Sequence, residues 1–146
     1  MENSKKYKLK SWIDENKLNF YFLSSYNESP HFIDLLEANI DKIDWTNLSL
    51  NPRAIQLLEA HFDKIDWYNL SLNPAAIPLL MKNIDKINWY NFSANTAAIP
   101  FLEENPDKID WSSLSMNPAA IHLLKANPEK IDWLMLSKNP NIFEPV

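Results

Sequence analysis

Apolar positions along this chain fall into two alternating groups. In the first, Ala54, Ile55, Leu57 and Leu58 share one helical face, and the same spacing returns at Ala76, Ala98 and Ala120. Asn51-Pro52 precedes the group, and both residues suit a helix start: asparagine accepts from free N–H groups, and proline lacks a donor where none is needed. The first helix is therefore expected to begin at the Asn-Pro step. Pro78 and Pro100 bear on that boundary. A start at Pro74 would put Pro78 fifth and remove one intrahelical bond, whereas a later start removes none, so the later start is preferred in that unit. The second group predicts a shorter helix from Trp45 to Leu50, capped by Asp44, with Ile43 and Leu48 at the two ends of a hydrophobic staple. It recurs as Ile65-Asp66-Leu70 and Ile109-Asp110-Leu114, with Asn88 as the cap in one unit. At this length it can be an α or a 3₁₀ turn.

These groups belong to a 22-residue repeat. Tryptophan stands at 45, 67, 89, 111 and 133, lysine at 42, 64, 86, 108 and 130, serine at 49, 71, 93, 115 and 137, and asparagine at 51, 73, 95, 117 and 139. A proline follows that asparagine except at Thr96. A degenerate earlier copy begins at Lys17-Leu18-Asn19-Phe20 and carries three extra residues before the pattern resumes at Phe32-Ile33. Neither helix is long enough to stand alone, so stability has to come from stacking unit on unit. The expected fold is all-α, a right-handed α-solenoid of 22-residue repeats, each a longer helix plus a short α or 3₁₀ helix, forming an elongated rod or arc. Residues 1–41 are expected to form an N-terminal capping region with the degenerate repeat, 42–129 four regular repeats, and 130–146 a truncated C-terminal repeat.

The stretch from Lys64 to Leu80 carries the unit in full, written K-I-D-W-x-x-L-S-x-N-P-x-A-I-x-L-L. It resembles the short tandem-repeat proteins encoded by large DNA viruses of protists and algae, over roughly residues 17–146. The resemblance implies a viral protein of unassigned role, and eighteen asparagines and fourteen isoleucines fit an AT-rich coding genome. The L-S-x-N-P step also resembles the leucine-rich repeat variant, a likeness of fold that carries no function.

Composition narrows the chemistry. The chain has 146 residues with no glycine and no cysteine. Zero glycine removes the phosphate-binding loop, the dinucleotide turn and the nucleophile elbow, and argues against β-rich folds. Zero cysteine removes disulfides, thiolate zinc sites and thiol catalysis. The net charge is −5, and Arg53 is the one arginine, which disfavours nucleic acid as a partner. Lys5, Lys6, Lys8 and Lys10 read as a solvated end. No apolar run is long enough for a signal peptide or a membrane span, so an intracellular location is expected, host cytoplasm or virion if the protein is viral.

Most columns have a structural explanation. The tryptophan ladder reads as core rather than a row of base-stacking platforms. The asparagine ladder reads as side chains satisfying turn backbone from one coil to the next. The carboxylates of the D-K-I-D segments, such as Asp41, Asp44, Asp63 and Asp66, have capping or lysine-pairing roles, so neither a metal nor a catalytic site is expected, and no cofactor. His31, His61 and His122 read as surface residues without matched partners. The two positions after each tryptophan vary, and stacking does not dictate them. Asn47, Tyr68, Asn69, Tyr90 and Asn91 are therefore the candidate partner surface, with Tyr68 and Tyr90 expected as neighbours roughly 10 Å apart.

The aromatic-rich N-terminal stretch, including Tyr7, Trp12, Phe20, Tyr21, Phe22, Tyr26 and Phe32, reads as a cap. At the other end, either Ile142-Phe143 forms a lid or Leu134, Met135 and Leu136 form a candidate self-association patch. The expected function is a non-enzymatic scaffold or adaptor for protein–protein interaction. The alternative is a structural or virion-assembly component that self-associates end to end.

Overall fold

In the computed structural model, residues 7–25, 29 and 31–145 are described. Regular structure among them is entirely helical, in short α-helices joined by 3₁₀ turns, which is an all-α repeat architecture. Lys5, Lys6 and Tyr26 lie outside the described residues. Two compact units divide the chain, Met1–Asp66 and Trp67–Val146.

The N-terminal unit contains α1 (Phe20–Ser24), α2 (Phe32–Glu37), α3 (Trp45–Leu50) and α4 (Ile55–Ala60), with α1 packed against both α2 and α3. Its core includes Phe32, Leu36, Leu48, Ala54, Leu57 and Leu58. The C-terminal unit contains α5 (Trp67–Leu70), α6 (Ile77–Met81), α7 (Trp89–Ala94), α8 (Ile99–Glu104), α9 (Trp111–Ser115), α10 (Ile121–Ala126) and α11 (Trp133–Leu136). Within it, α9 packs between α7 and α11. Leu70, Leu80, Phe92, Leu102 and Leu114 are fully buried there. Each such side chain contributes about 1.5–3 kcal/mol of burial.

The tryptophan-led helices start where the pattern places them. Asp44 Oδ1 accepts from the Asn47 N–H at 2.9 Å, Asn88 from Asn91 at 2.9 Å, and Asp110 from Ser113 at 2.8 Å. Where resolved as regular elements, these helices are α rather than 3₁₀.

The other helix differs from expectation. It begins at Ile55, Ile77, Ile99 or Ile121, three to four residues after the Asn-Pro step, and has five or six residues against four to six for its partner. The asparagine caps the turn ahead of it. Asn51 Oδ1 accepts from the Arg53 N–H at 3.0 Å, two residues on, and its carbonyl accepts from Ala54 at 3.1 Å. That is an Asx-type turn, which uses the bonds a helix start would need. Pro78 and Pro100 consequently occupy the second helical position, where no donor is missed.

A third element also recurs: 3₁₀ turns at Ile40–Lys42, Phe62–Lys64, Ile84–Lys86, Pro106–Lys108 and Pro128–Lys130. Three residues are too few to leave a periodic signature. Among the described residues no φ is positive, so no turn requires glycine's left-handed freedom.

Two buried polar columns hold successive repeats together. The serine Oγ donates to the tryptophan carbonyl four residues back, as Ser71 to Trp67 at 2.8 Å, and, except at Ser137, accepts the cap N–H of the next repeat, as Asn88 to Ser71 at 3.0 Å. The amides of Asn51, Asn95, Asn117 and Asn139 reach back to the previous repeat, as Asn117 Nδ2 to the Ser93 carbonyl at 2.9 Å and the Asn95 carbonyl at 3.2 Å. The expected role of the asparagine ladder is thus observed. The degenerate first copy obeys the same rules, since Ser24 Oγ donates to the Phe20 carbonyl at 2.8 Å and accepts from Asp44 N–H at 3.0 Å. Its partners are three residues further apart in sequence, matching the three extra residues.

Candidate partner surfaces

A helix of four to six residues, capped at its first turn, fixes which side chains after the tryptophan face outward. Tyr68 and Tyr90 do, at 56% and 43% exposure. Asn91 does not: it is 3% exposed, and its Nδ2 donates to the Tyr68 carbonyl at 2.8 Å. Asn91 therefore ties α7 to α5 and is withdrawn from the candidate edge, because the amide at the second variable position is long enough to reach the preceding helix. Asn47 and Asn69 are half-buried. Ser113, in the same column, is fully buried, and its Oγ meets no partner among the described residues. Serine is too short to repeat the bond that Asn91 makes.

The tryptophans are not the buried core that their periodicity suggests. Trp45, Trp67, Trp89 and Trp111 are half-buried, and Trp133 is 68% exposed. Standing first in a capped helix puts each ring at the rim of its repeat, and a lysine of the next repeat covers Trp67 and Trp111. Lys86 lies over Trp67 at 5.7 Å from the ring centroid and Lys130 over Trp111 at 4.6 Å. In the degenerate copy Lys42 stands 5.1 Å from the Phe20 centroid. Such cation–π contacts contribute about 0.5–1 kcal/mol where exposed. The lysine column was visible in the sequence, but its partner was not, because the two meet across repeats.

Several carboxylates have the expected occupations, though Lys42 lies near Glu15 at 4.0 Å rather than Asp41. Asp44, Asp110 and Asp132 cap helices, while Asp63 pairs with Lys64 at 3.6 Å and Asp107 with Lys108 at 3.8 Å. Ser112 Oγ donates to Asp132 Oδ2 at 2.7 Å. That bond, with the Met135 N–H, holds the Asp132 carboxyl below its ordinary value.

The histidines do have partners. His122 Nε2 meets Glu103 Oε1 at 2.7 Å, His31 stacks on Tyr7, and His61 lies 5.2 Å from the Trp45 ring. His61 occupies the column where Asn83, Asn105 and Asn127 bond a carbonyl four residues back. No three His, Cys, Asp or Glu side chains converge on a point among the described residues. No described helix is long and apolar enough to cross a membrane.

The C-terminal patch is unevenly exposed. Leu134 is 77% exposed, whereas Met135 and Leu136 are half-buried. Trp133, Ile142 and Phe143 are exposed beside it, so the Ile142-Phe143 segment leaves its own apolar side chains in solvent. A cavity of about 560 Å³ lies there, lined by Ile121, Leu124, Leu136, Ile142 and Phe143 among others. In the N-terminal unit a cavity of about 520 Å³ lies among Tyr7, Leu23, His31, Phe32 and Leu35. Trp12, Tyr21 and Phe22 are exposed in that unit, and periodicity did not single them out as a surface. Comparison with known proteins returns no matching family model, no matching characterised protein and no matching solved structure.

Proposed function

We propose that this chain is a non-enzymatic repeat scaffold that holds another protein against the edge carrying Tyr68 and Tyr90. The exposure of these two tyrosines carries the reading. The recurring leucine, serine and asparagine columns are committed to packing or repeat-to-repeat hydrogen bonds, while the first position after each tryptophan is free to vary. Tyrosine presents an apolar body and a polar tip, which is why it is enriched at the centres of protein interfaces. Viral origin, and a place in host cytoplasm or virion, go with the K-I-D-W resemblance and belong to the same proposal.

The test is affinity capture from the native host cell, coupled to crosslinking mass spectrometry, with the intact protein and with Tyr68→Ala/Tyr90→Ala. Partners that crosslink near the tyrosines and vanish with the double substitution support the reading. Unchanged partners in both samples remove this edge from consideration.

A further inference from the structure

Inside the C-terminal unit, where the repeat led by Trp89 meets the one led by Trp67, three groups of one repeat meet three groups of the repeat before it. The opening lysine covers the earlier tryptophan, as Lys86 does Trp67. The cap N–H, two residues on, donates to the earlier serine, at 3.0 Å for Asn88 to Ser71. Asn91, three residues further, reaches the earlier helix at its second residue and donates to the Tyr68 carbonyl. The receiving set is thus 67, 68 and 71, and the approaching set 86, 88 and 91.

The last repeat offers a receiving set at 133, 134 and 137 with the same spacing. No lysine among the described residues covers Trp133, Leu134 stands in the Tyr68 column and is 77% exposed, and Ser137 Oγ donates to the Trp133 carbonyl at 2.8 Å. No N–H among the described residues reaches Ser137 Oγ, which every inner counterpart accepts. The first repeat offers an approaching set at 17, 19 and 22, again with the same spacing. Lys17 is exposed, with Asp14 at 3.9 Å. The Asn19 N–H meets no acceptor among the described residues, although its side chain caps α1 by accepting from Phe22. Phe22, in the Asn91 column, is 66% exposed.

We propose that the last repeat of one copy receives the first repeat of a second copy. Lys17 then covers Trp133, the Asn19 N–H donates to Ser137 Oγ, and Phe22 packs on Leu134. The occupant is a second copy because the approaching set has the spacing of the receiving set and repeats its lysine and cap N–H, with an apolar pair in place of the inner amide-to-carbonyl bond. Both are also apolar at the position where inner repeats are polar or aromatic. The contact is head-to-tail, so each copy presents one face of each kind and more than two copies can join. It does not depend on what binds Tyr68 and Tyr90.

Multi-angle light scattering and sedimentation velocity on the full chain, over a concentration series, test this. The mean mass should rise with concentration. Leu134→Glu alone and Phe22→Glu alone should each abolish the rise while keeping the helical circular dichroism signal. An equimolar mixture of the two should form a one-to-one dimer and grow no further, since it pairs one intact tail with one intact head. Tyr68→Ala/Tyr90→Ala should associate like the parent, which separates this contact from the partner edge. A strict monomer at every soluble concentration overturns the proposal. So does association abolished by Leu134→Glu but untouched by Phe22→Glu, which would signal a tail-to-tail contact.

Discussion

Asn117 is almost fully buried, and one amide group serves three backbone partners. Its Nδ2 donates to the Ser93 and Asn95 carbonyls, and its Oδ1 accepts from the Ala119 N–H. An alanine there would leave those groups buried without partners, each costing about 1–3 kcal/mol. Asn117→Ala should therefore lower stability by roughly 3 kcal/mol or more in urea unfolding. A loss below about 1 kcal/mol would mean that water enters and replaces the amide.

Asp132 illustrates a charge held by several neighbours, one of them foremost. The Ser112 hydroxyl is the largest cause of its lowered pKa, so Ser112→Ala should move the Asp132 titration upward, towards 3.8, in carboxyl NMR. The folded value lies below the unfolded one. The ionised carboxylate therefore favours the fold above the unfolded value, and that contribution is lost as pH falls through the folded value. Asp132→Asn keeps an acceptor for the cap, so its unfolding midpoint should differ from the parent's at neutral pH and converge with it in acid.

Element boundaries show where a pattern of side chains is informative and where it is not. The helix from Trp45 to Leu50 was legible to the residue, because an aspartate cap, a staple and an apolar face all point to one register. The start of the other helix was not. Asn-Pro is compatible both with a helix cap and with an Asx turn, and the two differ only in which N–H the asparagine oxygen reaches. The asparagine ladder's role was legible, since polar residues copied at a fixed period need a backbone partner at that period. The tryptophan ladder misled, because periodicity reports that a side chain faces its neighbouring repeat, not that it is covered on both sides. Asn91 misled likewise: it varies between repeats, yet its amide is committed to Tyr68.

The later start has a measurable consequence at Pro78. At the second helical position proline forfeits no hydrogen bond, so Pro78→Ala should change stability by no more than about 1 kcal/mol. Were the helix continuous from Pro74, alanine would restore an interior bond and stabilise by roughly 3 kcal/mol. Thermal unfolding of the single variant decides between them.

At the scale of the whole molecule, the missing glycine and the free faces have one origin. Asn-Pro turns, aspartate caps and 3₁₀ steps all keep φ negative, so a single glycine-free solution is copied in every repeat. Copying also means that each repeat carries both halves of the same contact, and the first and last described repeats each present one half unmatched. Amide hydrogen exchange reads this directly, because protection follows the free energy of opening a particular bond. The cap N–H groups of Asn88, Asp110 and Asp132, each bonded at 3.0 Å to a buried serine, should exchange slowly at any protein concentration. The Asn19 N–H should exchange freely in dilute protein and gain protection as concentration rises, in step with the mass from light scattering. Adding excess Phe22→Glu to labelled parent should still protect Asn19, because that variant keeps its tail. Excess Leu134→Glu should give no such protection, because its tail is lost and its head competes for the parent's tails. Protection of Asn19 that is already complete in dilute monomer would mean that the chain's own N-terminal segment supplies the acceptor, and the head-to-tail register would have to be abandoned.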